Sequence, residues 1–138
     1  MNDAGEKNFY YNDAVKTLRT NIQFTGKEIK AILFTSCYPN EGKTDSVFQM
    51  AVELGKAGRK TVIVDADIRK SGFIKRYNTS REVPGLSEYL SGQAEKKDII
   101  CSTGYDNADI ILAGPIAPNP SELLEQGIFG DLIRGLRE

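Results

Sequence analysis

Histidine is absent from this 138-residue sequence. That gap removes every histidine-based triad, every histidine metal ligand and the commonest general base, so acid–base work falls to carboxylates, lysine or tyrosine. Cysteine is scarce: Cys37 and Cys101 lie far apart, form neither a metal-ligand spacing nor a disulfide framework, and read as reduced thiols. A basic surplus is missing too, with 18 basic residues against 19 acidic and a formal net charge of -1. Nucleic acid is therefore not the expected partner. No apolar run approaches the roughly 20 residues of a membrane span, and the polar start "MNDAGEKNFYYND" is not a signal peptide. The expected location is the cytoplasm.

What is present suits one compact domain over residues 1–138, since a 40% hydrophobic share supplies an ordinary core. Val15, Leu18 and Ile22 recur at helical spacing and predict a helix over Asn12–Phe24, with Asn12 or Asp13 as its N-cap. "AILFT", Ala31–Thr35, reads as a strand buried on both faces. Val47, Met50, Ala51 and Leu54 predict a helix that Gly58 stops, and "TVIV", Thr61–Val64, is the next buried strand. Strand, loop, helix and strand form a βαβ unit, hence an α/β fold with a parallel sheet flanked by helices. Pro84-Gly85 precedes a short helix "LSEYLSG", and another short helix is expected over Ala94–Ile100. Ala108–Gly114 reads as a third strand. Ser121 is placed as the cap of a last helical stretch broken by Gly127 and Gly130.

Two constellations carry chemistry. "SCYPNEGKTD" is close to G-x-x-x-x-G-K-[ST], with Cys37 where the first glycine belongs. Such a loop works by aiming backbone N–H groups and a helix N-terminus at one anion, so glycine there serves backbone shape. A small Cys37 is compatible with that shape, and Asn40 tolerates positive φ at a turn. Gly42 allows close approach, Lys43 supplies a point charge for phosphates, and the Thr44 hydroxyl suits Mg²⁺. Glu41 must face solvent, while Asp45 suits the helix dipole but repels phosphate unless Mg²⁺ lies between them. The second constellation is "VIVDADIRKS". Asp65 and Asp67 end a strand at its carboxyl edge, where open α/β sheets bind ligands, and two carboxylates can hold Mg²⁺ through its waters.

With "TSCYPNEGKT", "VIVDADIRKS", "AGPIAPNPSELL" and "DAVKTLRTNIQF", the chain resembles the bacterial tyrosine kinases (BY-kinases) of capsule and exopolysaccharide production along nearly its whole length. The resemblance implies a P-loop NTPase fold of the deviant Walker type and a protein-tyrosine kinase that phosphorylates itself from ATP with Mg²⁺. It implies that Lys43 contacts phosphates, that Thr44, Asp65 and Asp67 serve the metal, that Asp67 accepts the tyrosine proton, and that Arg69 completes the second motif. Cys37, Asn40, Glu41, Gly42, Lys43, Thr44, Asp45 and Arg69 form the expected nucleotide site. The implied partner is a membrane-embedded polysaccharide co-polymerase or adaptor that recruits the protein to the inner face of the membrane.

Departures bear on that expectation. The family's N-terminal Glu-x-x-Arg-x-x-Arg, linked to ring-shaped self-association, is matched here by Asp13, Lys16 and Arg19, which keep charge sign but not the bidentate fork. The family's third motif, an apolar strand ending in aspartate, and its tyrosine-rich tail do not appear before Glu138, so the sheet is expected to be incomplete at the C-terminus. An unsatisfied edge beside the loop strand then predicts marginal stability or pairing with another chain. The alternative function is a catalytically inactive interaction module that keeps adaptor or self-association surfaces. A partition-type ATPase switch is disfavoured by Tyr38, which stands where those proteins carry lysine.

Overall fold

The computed structural model describes residues 3–39, 41–70, 73 and 83–138. The chain opens with α1, Asp3–Phe24, a helix that starts well before the expected Asn12 or Asp13 cap and places both of those residues in its interior. Of the predicted apolar stripe, Val15 is buried and Ile22 half-buried, but Leu18 is exposed. Arg19 rather than Leu18 completes the face toward the next helix, α2, Lys43–Lys56.

Thr61–Val64 forms β1 as expected. The chain then passes through α3, Leu86–Leu90, and α4, Lys96–Ile99, before β2, Ile100–Tyr105, and β3, Ala108–Ile111. It ends on α5, Pro120–Glu125, and α6, Gly127–Leu136. The cap of α5 is Asn119, with Pro120 leading the helix and Ser121 one residue inside it, which corrects the expected Ser121 cap. Gly127 starts α6 and Gly130 lies within it, so only the first of these glycines marks a break.

The strands order as β1-β3-β2. β1 and β3 run parallel, with Ile63 beside Ile110. β2 and β3 run antiparallel, so the sheet is mixed rather than wholly parallel. β2 takes over the end of the segment expected to be helical, and its hairpin turns at Asp106-Asn107, where Asn107 adopts φ 57. Asparagine is among the few residues that accept this left-handed geometry at little cost.

Alternation along β3 builds two cores. Ile110 joins Ala51, Ile63, Phe73 and Leu112 on the α2 side. Ile111 joins Ile68, Leu86, Leu90, Ile99, Leu123 and Leu132 on the other side. Adjacent strand residues point to opposite faces, so each face of the sheet carries its own helical layer.

The expected strand at Ala31–Thr35 is not formed. Among the described residues this segment pairs with no strand, and Ile32 and Leu33 are 44% and 90% exposed. A strand is defined by its ladder, and an apolar run records a preference for burial without supplying a neighbour to pair with. The first strand of the expected βαβ unit is therefore missing, while its helix and second strand are present.

Candidate nucleotide and metal site

The helix that carries Lys43 and Thr44 begins where the loop sequence requires. Gly42 precedes it at φ 84, ψ 15, a left-handed conformation that glycine reaches without a Cβ penalty. The helical ladder starts with Ser46 N donating to Gly42 O at 3.0 Å, so the amides of Lys43 and Thr44 fall ahead of it. Cys37, Glu41 and Lys43 are exposed, and Thr44 and Asp45 are half-buried. Upstream, Ser36 Oγ donates to Tyr38 O at 3.2 Å. Asn40 lies outside the described residues. The exposure of Glu41 matches the expectation that it faces solvent.

The second constellation sits at the end of β1. Asp65 N donates to Ile111 O at 2.9 Å, which extends the β1–β3 ladder one residue and leaves Asp65 6% exposed. Its Oδ1 accepts the Asp67 amide at 3.1 Å. Asp67 is exposed, and its Oδ1 accepts the Lys70 amide at 3.1 Å, closing a turn over residues 67–70. Arg69 is exposed and donates from Nη2 to Ser121 Oγ at 3.3 Å.

The direction of α2 relates the two constellations. Its C-terminal end is pinned to the β2–β3 hairpin, where Asn107 Nδ2 donates to Gly55 O at 3.1 Å. Asn107 O also accepts the Thr61 amide at 2.8 Å, so this hairpin tip marks the start of β1. A 14-residue helix packed against β1 from that point rises about 1.5 Å per residue and carries its N-terminus to the opposite, carboxyl-terminal end of the strand. Lys43 and Thr44 therefore lie at the same end of the sheet as Asp65 and Asp67.

The donor set suits a metal-bound nucleotide. Positive φ at Gly42 and the amides ahead of the ladder fit an anion. One hydroxyl and two carboxylates fit a hard cation that keeps much of its water. Among the described residues no group of three or more Asp, Glu, Cys or His side chains is arranged to hold a metal ion.

Of the three residues expected to support self-association, Asp13 and Lys16 are exposed on α1. Arg19 is used within the chain. Its Nη1 donates to Glu53 Oε2 at 3.3 Å, and Lys56 Nζ donates to Glu53 Oε1 at 3.0 Å. Glu53 is 7% exposed, and its role as the anchor between α1 and α2 was not foreseen from the sequence. A lone charge on the buried face of an amphipathic helix, here following Met50-Ala51-Val52, is the signal that would have found it.

No family model matches the chain. The tyrosine-protein kinase CpsD of Streptococcus agalactiae is 36% identical over 137 residues, which cover 99% of this chain and 58% of that protein. The VpsO kinase domain superposes with a TM-score of 0.80 at 32% identity, covering 98% of this chain and 67% of that one. The kinase domain of the Escherichia coli tyrosine kinase ETK superposes with a TM-score of 0.84 at 31% identity, covering 91% of this chain and 50% of that one. The chain spans somewhat more than half the length of the first curated relatives it matches.

Proposed function

The chain belongs to the bacterial tyrosine kinases, and on that premise we propose that it binds Mg²⁺·ATP and takes part in phosphoryl transfer to tyrosine, including its own. The observation that carries the reading is Gly42 in left-handed geometry directly before Lys43-Thr44 at the start of α2. In this reading the Lys43 ammonium and the first-turn amides hold the phosphates. Thr44, Asp65 and Asp67 would hold the ion, with Asp65 fixed by the hydrogen bond its backbone N–H donates to Ile111 O and Asp67 reaching solvent. When bound, Mg²⁺·ATP supplies the phosphoryl group and neutralises charge on the leaving phosphates. Asp67 takes the proton of the incoming tyrosine. A carboxylate is a weak base for a phenol of pKa about 10, but placement and charge stabilisation dominate a loose transfer.

Family membership further supports a role in capsule or exopolysaccharide production, at the cytoplasmic face of the membrane and beside a membrane-embedded adaptor. Among the described residues no helix is long and apolar enough to cross a membrane itself.

Calorimetry with ATP and Mg²⁺ tests the first step, and labelled ATP with a tyrosine-rich peptide tests the second. Uptake of ATP that Lys43→Ala abolishes, followed by label on tyrosine, is the expected result. No uptake at millimolar nucleotide by folded protein would end the kinase reading. Uptake without transfer would favour the second reading, an inactive interaction module, which the exposed Ile32-Leu33 segment, paired with no strand among the described residues, supports.

A further inference from the structure

Two motifs 52 residues apart meet at one contact, where the Arg69 guanidinium donates to Ser121 Oγ at 3.3 Å. Beside it, Ala117 N donates to Ile68 O at 3.4 Å. Both contacts fall on the turn that Asp67 closes with the Lys70 amide. The segment that delivers Ser121 is itself held further back. Leu86 N and Ser87 N donate to Leu112 O and Ala113 O at 2.7 and 3.0 Å, and Ser87 Oγ donates to Pro115 O at 2.9 Å. Gly85 and Gly114 pack so closely that a Cβ built on Gly85 would stand 2.3 Å from Gly114 N. Residues 112–121 thus form a strap, anchored on α3 at one end and gripping the 67–70 turn at the other.

We infer that Ser121 is a positioning residue that, through Arg69, fixes the 67–70 turn and so the aim of the Asp67 carboxylate. Asp67 Oδ1 is engaged by the Lys70 amide, so the direction of Oδ2 follows the turn. Both partners in the Arg69–Ser121 bond are exposed, so the bond contributes little to global stability and acts on local geometry. Its catalytic consequence rests on the kinase reading, whereas the mechanical link does not.

The test compares Ser121→Ala and Ser121→Thr in the full chain by two readouts. The first is exchange of the Lys70 amide, followed by NMR without nucleotide. It is expected to quicken about fivefold in Ser121→Ala and return toward the parent rate in Ser121→Thr, with the thermal midpoint unchanged. The second is phosphotyrosine formation, with kcat expected to fall about tenfold in Ser121→Ala at constant KM for ATP, and Ser121→Thr restoring it. Unchanged Lys70 exchange in Ser121→Ala overturns the link whatever the kinetics. Faster exchange with kcat intact, or no rescue by threonine, overturns the positioning role. If the parent chain transfers no phosphate, the kinase reading fails separately, and Lys70 exchange still decides on the link.

Discussion

Replacing Gly55 with alanine should destabilise the chain, although it lies inside α2, where the same change ordinarily helps. Alanine exceeds glycine in a helix by about 0.8–1 kcal/mol. Here the new methyl would stand 2.3 Å from Asp106 O, with Asn107 C at 3.4 Å. Relieving that overlap requires the hairpin tip to retreat by about 1 Å, at an overpacking cost of about 1–3 kcal/mol. Retreat also stretches the Asn107 Nδ2 bond to Gly55 O, 3.1 Å in the native chain, which is worth about 1 kcal/mol. After the propensity gain the net loss is about 1–3 kcal/mol, or roughly 3–12 °C in midpoint for a domain of this size. Gly130→Ala is the matched control in α6. Its nearest neighbour would be the flexible Arg134 Nη1 at 3.5 Å, so propensity dominates and the midpoint should hold or rise. Thermal circular dichroism on both variants decides. If Gly55→Ala melts at or above the parent, the hairpin does not press on α2, and the argument that orients Lys43 toward the Asp65 end of the sheet loses its anchor.

Glu53→Ala should cost about 1–3 kcal/mol in a urea titration, because it strands the Arg19 guanidinium, whose Nε has no hydrogen-bond partner among the described residues. An unchanged midpoint would mean that apolar contacts alone hold α1 on α2. Burial, and secondarily the Asp109 carboxylate, push the Cys101 thiol above the usual thiol range. Cys37, which is exposed, should therefore alkylate first near neutral pH, and mass spectrometry showing Cys101 labelled first would contradict this. The folded thiol keeps its proton to higher pH than the unfolded one, so its contribution to stability is full below the usual thiol range and is lost as pH rises from that range through the higher folded value. Leu33→Asp should change stability by no more than about 0.5 kcal/mol, given 90% exposure, and a loss beyond about 2 kcal/mol would show that residues 31–35 are covered in solution.

The sequence was most legible where one residue's chemistry dictates local backbone. The loop sequence through Gly42 predicted a helix carrying Lys43-Thr44, and the helix begins there, whereas the left-handed φ at Gly42 was not foreseen, positive φ having been expected at Asn40, outside the described residues. Asp65 and Asp67 fall at the carboxyl edge of β1, as the apolar run before them implied. The failures share another cause. Strand β2 carries little alternation in "ICSTGY", and its partner β3 lies across a two-residue turn whose asparagine was the overlooked signal. Ala31–Thr35 failed the opposite way, with apolar content but no ladder partner among the described residues. Arg19 and Glu53 were missed as a pair because their contact joins residues 34 apart, and neither charge announces its partner locally.

These differences divide the candidate site into unequal halves. The carboxylate half is held from several elements: Asp65 is tied into β3 through its amide, the 67–70 turn is closed on Asp67 Oδ1, and the strap reaches that turn from α5. The Gly42–Thr44 half is positioned chiefly by its helix. Among the described residues, 31–36 pair with no strand, and Gly42, Lys43 and Thr44 take their position from α2, which is packed on Ile63 and Ile110 and pinned by Asn107 at Gly55. Ordering a backbone residue costs about 1–2 kcal/mol, so backbone already in place before an anion arrives favours its uptake. The αL turn and the first-turn amides exist beforehand, because the helix builds them. Phosphate affinity in this chain should therefore be set by α2 and its docking, so that loosening Gly55 from the hairpin weakens nucleotide uptake more than altering Cys37 in the loop does.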